Sequence, residues 1–343
     1  MPIPSGPSDS ELKLIKTIVK KSGSDISIDK LDLVEAGDHY DMYKITSAGK
    51  PYSLKFSFNH EDDLFLREIK NTKELNNPHT PKYIDGGVLK IGDKILYLLC
   101  EFHHGEAIME IGRSQLIESI RPFIKAYKSL HYSGKQDVSY IVSINEFLDR
   151  FNLNDYMGSD QIAAINGHSD FTKIQSIVNG LKNEIKTKHK NLIDIETGCV
   201  LSDTNPSHIF IDRGVMHFDD LRHLSNGHAF ADLANMIISF SIGKQKERTF
   251  VKEISESLDI PFDWNLYQQF YQLELAKKAL SYVFRYLKEV YLYESQRPYE
   301  ILRIIDEFSL AYERMCKIPI FKEHKEFIRR NITEPVLEQG PRD

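Results

Sequence analysis

The sequence has no long hydrophobic run and little cysteine, and both absences narrow the class of protein. No stretch approaches the roughly 18 apolar residues of a membrane helix, and the opening MPIPSGPSDSELKL has no apolar core typical of a secretion signal. The three cysteines, Cys100, Cys199 and Cys316, show no C-x-x-C spacing, so we expect buried, reduced thiols. These features predict a cytoplasmic protein without a membrane span.

An excess of positive charge is also missing. The chain has 44 lysines and arginines against 50 aspartates and glutamates, which gives a formal net charge of −6. This balance argues against general binding to nucleic acid or anionic membranes, and it is mildly favourable for a cationic substrate. With 343 residues, 41% of them hydrophobic, the chain has the composition of a globular protein that could form two lobes.

The N-terminal third alternates between helix and strand patterns. A helix opens with the capping-box pair Ser8 and Glu11. Three short β-type runs follow, around residues 31–34, 43–46 and 52–56. A strand–loop–strand–turn–strand order of this kind predicts an antiparallel sheet near the N-terminus.

Lys55 and Glu68 stand out in this region. Lys55 lies inside the third apolar run, where a lysine must find a partner or extend its ammonium into water. Residues 61–75 form a strong helix pattern, and Glu68 lies on its apolar side. An edge-strand lysine and an ordinary surface salt bridge are the simpler readings. The stretch 66–75 resembles the αC helix of protein kinases, and this resemblance implies a Lys55–Glu68 ion pair.

The middle of the chain contains a second group of polar residues, in the stretch 200–220. Two short apolar runs surround a tight turn at residues 212–214, which predicts a β-hairpin. Asp203 precedes the hairpin, and Asp219 and Asp220 follow it. The hairpin would therefore gather acidic side chains that can hold a metal–phosphate complex and a substrate hydroxyl.

These features resemble the protein-kinase-like superfamily, in particular its aminoglycoside phosphotransferase and choline kinase branch. The catalytic loop of that branch reads H-G-D-x-x-x-x-N and is followed by I-D-F. Asp203 falls on the catalytic aspartate, whereas His208 and His217 fall on the metal-binding asparagine and aspartate. Asp232 begins a D-L-A sequence that recurs in the branch, where this aspartate holds the backbone of the catalytic loop.

The resemblance implies a site for ATP. Lys55 and Glu68 would hold the α- and β-phosphates, beneath a loop at residues 36–41 that contains the single glycine Gly37. Asp203 would accept or orient the proton of the acceptor hydroxyl. The backbone that would bond to the adenine is that of Glu101, Phe102 and His103.

The resemblance also implies Mg²⁺ or Mn²⁺ as a cofactor. Because Mg²⁺ prefers oxygen ligands, histidines are poor substitutes at the two metal positions. Either Asp219 takes over the metal, or the site prefers Mn²⁺. The candidate metal ligands are His208, His217, Asp219 and Asp220.

The fold implied is α+β and two-lobed, with a small lobe of antiparallel sheet plus one helix, αC, and a large, mostly helical lobe. We expect a nucleotide-binding lobe at residues 1–102 and a helical lobe at 103–330. An inserted segment, 135–199, would form one wall of the acceptor cleft, and 331–343 would be a loose tail.

Three functions are compatible with these residues. The first is an ATP-dependent phosphotransferase acting on a small-molecule hydroxyl, of an aminoglycoside-, choline- or sugar-like acceptor. The second is a catalytically impaired pseudokinase that binds nucleotide or regulates, which His208 and His217 favour. The third is transfer of a nucleotide, as in adenylylation. The residues specify neither the acceptor nor the oligomeric state.

Overall fold

The computed structural model describes most of the chain and divides it into two compact units. Unit 1 comprises Met1–Gln136 with Thr204–Leu224, and unit 2 comprises Asp137–Asp203 with Ser225–Asp343. The described residues are 7–36, 40–59, 62–75, 77–91, 93–102, 106–107, 120–134, 136, 138–151, 169–190, 192, 195–202, 204, 208–240, 242, 244–287 and 314–328.

The helices and strands largely follow the sequence patterns. In chain order they are α1 (Asp9–Lys21), β1 (Lys30–Ala36), β2 (Asp41–Ser47), β3 (Lys50–Ser57), α2 (Asp63–Glu74), β4 (Tyr83–Ile91), β5 (Asp93–Glu101), β6 (Glu106–Ala107), α3 (Ile120–His131), α4 (Tyr140–Asp149), α5 (Ser169–His189), β7 (Gly198–Val200), β8 (Ile209–Asp212), β9 (Val215–Phe218), β10 (Ser225–Gly227), α6 (Ala229–Ser239), α7 (Lys244–Ser257), α8 (Trp264–Leu287), α9 (Pro319–Glu323) and α10 (Lys325–Ile328).

Unit 1 is built on a five-stranded antiparallel sheet in the order β1-β2-β3-β5-β4. Side chains alternate between the two faces of a strand, so each face can cover a helix. Helix α1 packs on one face, where Ile15 and Ile18 join Leu54 in a buried core. Helix α2 packs on the other face, where Phe65 joins Leu98. Each helix therefore buries one side of the sheet.

Local side-chain bonds fix where these helices begin. The Ser8 hydroxyl accepts a hydrogen bond from the Glu11 N–H, and the Glu11 carboxylate accepts one from the Ser8 N–H, so the predicted capping box is present. Asp62 caps α2 by accepting bonds from two N–H groups of its first turn. The start of α2 is thereby set relative to Glu68, two turns further on.

A second, three-stranded sheet in unit 1 has the order β6-β8-β9. The β8–β9 hairpin turns at Arg213 and Gly214, which both have positive φ, at 49° and 79°. Two left-handed residues are what a two-residue hairpin turn requires. The short turn pairs Ile209 with Phe218, and it therefore places residue 219 beside residue 208.

Unit 2 is mostly helical, with the two-stranded sheet β7–β10. Helices α4 and α5 belong to the inserted segment, and α5 packs on α8. Phe151, just after α4, meets Phe284 of α8 edge-on at a centroid distance of 5.1 Å. Gly180 lets α9 approach α5 closely, since a Cβ there would lie 2.7 Å from Ile320. The described helices of the inserted segment thus pack on the C-terminal helices.

Among the helices that the structure describes, none combines the length and the apolar character needed to cross a membrane.

Candidate active site

Lys55 and Glu68 form a buried ion pair in unit 1. Neighbouring residues of β3, Leu54 and Phe56, face the α1 side of the sheet, so Lys55 faces α2. Its Nζ lies 2.7 Å from Oε1 of Glu68, and the two side chains are only 4% and 2% exposed. The ion pair expected from the sequence is therefore present, and water is excluded from it.

Asp219 is the second carboxylate that pairs with Lys55. It follows β9 directly, and its N–H donates to the carbonyl of His208 over 2.8 Å. Its Oδ1 lies 3.0 Å from Nζ of Lys55. Burial works against both charges, but the Asp219 and Glu68 carboxylates raise the pKa of Lys55 well above its usual value. The Lys55 charge likewise outweighs burial and lowers the pKa of Asp219. Both groups are therefore ionised at neutral pH.

Asp220 has different partners from its neighbour. Its backbone is left-handed, with φ 58° and ψ 67°. Arg222 donates two hydrogen bonds to this carboxylate, one from Nε and one from Nη2, the latter over 2.6 Å. His208 Nδ1 lies 3.4 Å from Oδ2. Although burial opposes it, the charges of His208 and Arg222 lower the pKa of Asp220.

Tyr40 connects these two groups of charges. Nζ of Lys55 lies 5.0 Å from the centre of its ring, and Cζ of Arg222 lies 5.2 Å from it. Nη2 of Arg222 also donates to the Tyr40 hydroxyl over 3.3 Å. Sequence reasoning named neither Tyr40 nor Arg222. The available signals were weak: Tyr40 lies within the expected phosphate loop at residues 36–41, and Arg222 lies two residues beyond the acidic pair.

A pocket opens beside this cluster, within unit 1. Its lining includes the thioether of Met42, Pro81 and the rings of Phe102 and Phe210, and Asp219 lies in its wall. Cys100 is 2% exposed behind it, and burial raises the pKa of its thiol, so we expect the thiol to be inert. The lining residues are Met42, Ser53, Pro81, Glu101, Phe102, Phe210 and Asp219.

Glu101 and Phe102 belong to the segment expected to bond to the adenine, here called the hinge, and they border this pocket. Their N–H groups are used within the sheet. The Glu101 N–H donates to the carbonyl of Lys82 over 3.0 Å, and the Phe102 N–H donates to that of Pro51 over 3.2 Å. The Glu101 carboxylate turns outward to the Lys82 ammonium, at 2.7 Å. Any hydrogen-bond donor from the hinge to a purine must therefore come from beyond residue 102.

The four expected metal ligands do not gather in one place. Asp219 is paired with Lys55, while His208 lies against Asp220. His217 sits in β9, with its ring centroid 6.2 Å from that of His79. Within the described ranges, no group of three histidine, cysteine or acidic side chains is arranged to hold a metal ion.

Three of the predicted site residues, Gly37, His103 and Asp203, lie outside the described residues. The backbone just before Asp203 is described, and it belongs to unit 2. The Asp232 carboxylate accepts hydrogen bonds from the N–H groups of Leu201 and Ser202, over 2.6 and 2.8 Å. Asp232 is fully buried, which agrees with the supporting role expected for it.

An antiparallel sheet with a lysine on β3, a glutamate on the next helix and an acidic residue after a later hairpin defines a protein-kinase-like fold. No family model and no curated relative matches the sequence. Solved structures of this fold do match, and they confirm both the α+β architecture and the resemblance seen in the sequence.

Among the similar structures are a choline kinase and two antibiotic phosphotransferases. Choline kinase LicA from Streptococcus pneumoniae is 13% identical, with a TM-score of 0.58 over 88% of this chain and 99% of that one. Apo aminoglycoside phosphotransferase APH(4)-Ia, in a thermostable mutant, is 13% identical, with a TM-score of 0.55 over 78% and 91%. Spectinomycin phosphotransferase APH(9)-Ia, bound to ADP and spectinomycin, is 14% identical, with a TM-score of 0.53 over 88% and 93%. At such identities the likeness shows the fold.

Proposed function

We propose that the protein is an ATP-dependent phosphotransferase that moves the γ-phosphate to a hydroxyl of a small molecule. The observation that carries this proposal is the Lys55 ammonium, which is 4% exposed and held between Glu68 and the pocket-lining Asp219. A fixed cation beside a carboxylate is what positions and neutralises a triphosphate in this fold.

The pocket provides a place for the nucleobase. Its wall combines Met42, Phe102 and Phe210, which offer apolar contact to a flat ring. A base in this pocket would direct its phosphates towards Asp219 and Lys55. The fold neighbours support nucleotide as the ligand, because LicA was solved with AMP and APH(4)-Ia with ADP and hygromycin B.

Asp219 is the residue we assign to the divalent metal. Mg²⁺ keeps several waters and usually takes one or two carboxylates together with substrate phosphates. A single pocket-lining carboxylate that is 20% exposed fits such an ion, and no cluster of three protein ligands is needed. When bound, the ion would neutralise charge on the β- and γ-phosphates. His217 packs near His79 instead, so we expect Mg²⁺ to suffice.

Asp203 is the proposed acceptor of the hydroxyl proton. Its position in the sequence carries this assignment, and the Asp232 bonds to Leu201 and Ser202 support it by fixing the backbone that leads to Asp203. In unit 2 the inserted helices α4 and α5 pack beside the C-terminal helices, and we propose that they contact the acceptor. Hygromycin B and spectinomycin are the acceptor-sized compounds found with the fold neighbours.

A pseudokinase is the second candidate, and His208 is the observation that favours it. This histidine replaces the metal-binding asparagine, and its ring lies against Asp220. With one protein ligand fewer, the metal could bind nucleotide yet leave the γ-phosphate poorly neutralised. In that case the protein would retain nucleotide binding without phosphoryl transfer.

The test combines binding and turnover. ATP is titrated calorimetrically with and without Mg²⁺ or Mn²⁺, and ADP release is followed with aminoglycoside, choline and sugar acceptors. We expect metal-dependent ADP release that rises with one acceptor and is lost in Asp203→Asn, while that variant still binds ATP. Binding without turnover, with turnover created by His208→Asn/His217→Asp, would establish the pseudokinase. Absence of ATP binding under all conditions would refute both.

A further inference from the structure

Two consecutive carboxylates, Asp219 and Asp220, have opposite environments. Asp219 is 20% exposed, lines the pocket and bonds to Lys55. Asp220 is 3% exposed, and both of its oxygens are engaged, by Arg222 and by the ring of His208. Asp220 is not among the residues that line this pocket, and its carboxylate bonds to other side chains of the protein.

The backbone at Asp220 is in an uncommon conformation. Its φ of 58° is in the left-handed region, which is unfavourable for a residue with a Cβ, although aspartate tolerates it better than most. Arg222 is bound to the Asp220 carboxylate in a two-pronged fork, and this pairing is geometrically demanding. The fork opposes relaxation of the turn.

This turn determines where the preceding side chain points. Asp219 is fixed on one side by its own N–H, which donates to the carbonyl of His208. On the other side, the carbonyl of Leu221 accepts a bond from Nδ2 of Asn71, on α2, over 2.7 Å. Between these anchors, the Asp220 N–H bonds to the Asp219 carboxylate, and Arg222 holds the side chain of the same residue, Asp220.

We propose that Arg222 is a positioning residue, which clamps the turn at Asp220 so that Asp219 faces the pocket in the orientation that a metal–nucleoside triphosphate complex requires. This inference rests on the proposed function. Arg222 would act through Asp220 and Tyr40, without contacting the ligand. A lysine could not replace it, because a point-like ammonium does not reproduce the planar fork.

The proposal separates two parts of nucleotide affinity. Lys55 would contact the phosphates whether or not a metal is bound, whereas Asp219 would contribute through the metal. The ratio of the dissociation constant for AMP-PNP without metal to that with Mg²⁺ therefore isolates the role of Asp219. Disturbing the clamp should lower this ratio and leave metal-free affinity close to that of wild type.

The experiment measures this ratio by calorimetry in wild type, Arg222→Lys, Arg222→Gln and Asp219→Asn. We expect both Arg222 variants to lose about tenfold of the ratio, a typical coupling, and to approach Asp219→Asn. Arg213→Gln is the matched control, because Arg213 lies on the hairpin turn with its side chain 95% exposed. If Arg222→Gln does not fold, Asp220→Ala/Arg222→Ala removes both buried charges together and replaces it.

The outcomes distinguish the clamp from the function on which it rests. Arg222 variants with the wild-type ratio, while Asp219→Asn loses it, would overturn the positioning role and leave the proposed function intact. A wild-type protein that binds no nucleotide would overturn the proposed function and the clamp with it. An Asp219→Asn variant with an unchanged ratio would overturn the metal role of Asp219 and therefore the clamp, while nucleotide binding by wild type would leave the proposed function standing. A loss of metal-free affinity in Arg222→Lys equal to the loss with Mg²⁺ would mean that Arg222 contacts the nucleotide itself, contrary to the proposal.

Discussion

Two buried lysine–glutamate pairs, one in each unit, have the same contact distance and different surroundings. In unit 1, Lys55 lies 2.7 Å from Glu68, and in unit 2, Lys277 lies 2.7 Å from Glu274. All four side chains are at most 8% exposed. The difference between the pairs lies in the third partner of each.

Both members of the unit 2 pair have further partners within unit 2. Glu274 accepts further hydrogen bonds from the Tyr140 hydroxyl and from Asn235, and the Lys277 ammonium lies over the rings of Tyr140 and Phe147, at 5.1 and 5.5 Å. The helices α4, α6 and α8 are joined at this point. Such a network fixes one arrangement of helices and presents no group to a ligand.

The unit 1 pair is incomplete by comparison. Oε2 of Glu68 is buried, and in the part of the chain that the structure describes it has no hydrogen-bond partner. The remaining contact of this pair is made by Asp219, which pairs with Lys55 and lines a pocket. The two pairs therefore differ in whether the remaining contact lies in the interior or in the wall of a space that a ligand could enter, and this difference underlies the function proposed for the unit 1 pair.

The largest expected effect breaks the structural pair. Lys277→Met leaves the Glu274 charge buried without its cation, which should reduce the free energy of unfolding by about 3–5 kcal/mol. Trp264, the single tryptophan, begins α8, so its fluorescence in a urea titration reports on unit 2. The exposed Lys252→Met is the control and should change stability by less than about 0.5 kcal/mol. Equal stability of the two variants would contradict the account of the unit 2 pair.

The second effect breaks the unit 1 pair. Removing Lys55 alone would strand the buried Glu68, so the variant to use is Lys55→Met/Glu68→Gln. It should fold and bind ATP about 100-fold more weakly, because a desolvated charge contact to phosphate is lost. Lys50→Met is the control, an exposed lysine on the same strand. ATP affinity unchanged by calorimetry would remove Lys55 from the proposed site.

A third prediction concerns the loop before Asp203. Asp232→Asn weakens the acceptor of two buried N–H bonds, which should cost about 1–3 kcal/mol. Hydrogen exchange should accelerate at the amides of Leu201 and Ser202 more than at those of β7. An even acceleration across unit 2 would show that Asp232 supports the unit as a whole and has no particular role in this loop.

The smallest effect depends on pH. His189 is 8% exposed, and burial followed by the charge of Lys277 lowers its pKa below the usual value of about 6.5. The unfolded state then binds more protons between the lowered and the usual pKa, so stability is complete above about pH 6.5 and declines as the pH falls through the lower value. His189→Phe should lose less stability than wild type between about pH 7.5 and 5.5. His324→Gln is the control, and identical losses in all three proteins would contradict the assignment.

Much of this comparison could be predicted from the sequence. The Lys55–Glu68 pair is expected because a lysine in an apolar strand and a glutamate on the apolar side of the next helix resemble the corresponding residues of the kinase fold. The residue that meets Lys55 is harder to predict, because aligning I-D-F on residues 216–218 selects His217. The two-residue turn pairs Ile209 with Phe218, and Asp219 is the residue that reaches the lysine. The roles of His217 and Asp219 at a metal stay predictions.

Other contacts have no sequence signal of their own. Arg222 reaches Tyr40 across 182 positions, and a pairing this distant depends on the assembled sheet and hairpin. The Lys277–Glu274 pair looks like an ordinary three-residue helix pair, and only burial distinguishes it. The roles of Gly37, His103 and Asp203 stay predictions.

The most direct test of the central claim, that Asp219 and Lys55 together receive a metal-bound triphosphate, is anomalous diffraction from crystals grown with Mn²⁺ and AMP-PNP. The account predicts a manganese peak coordinated by a carboxylate oxygen of Asp219 and by phosphate oxygens, with a phosphate oxygen also bonded to Nζ of Lys55. A peak held by His217, or a nucleotide bound elsewhere while Asp219 stays paired with Lys55, would contradict it.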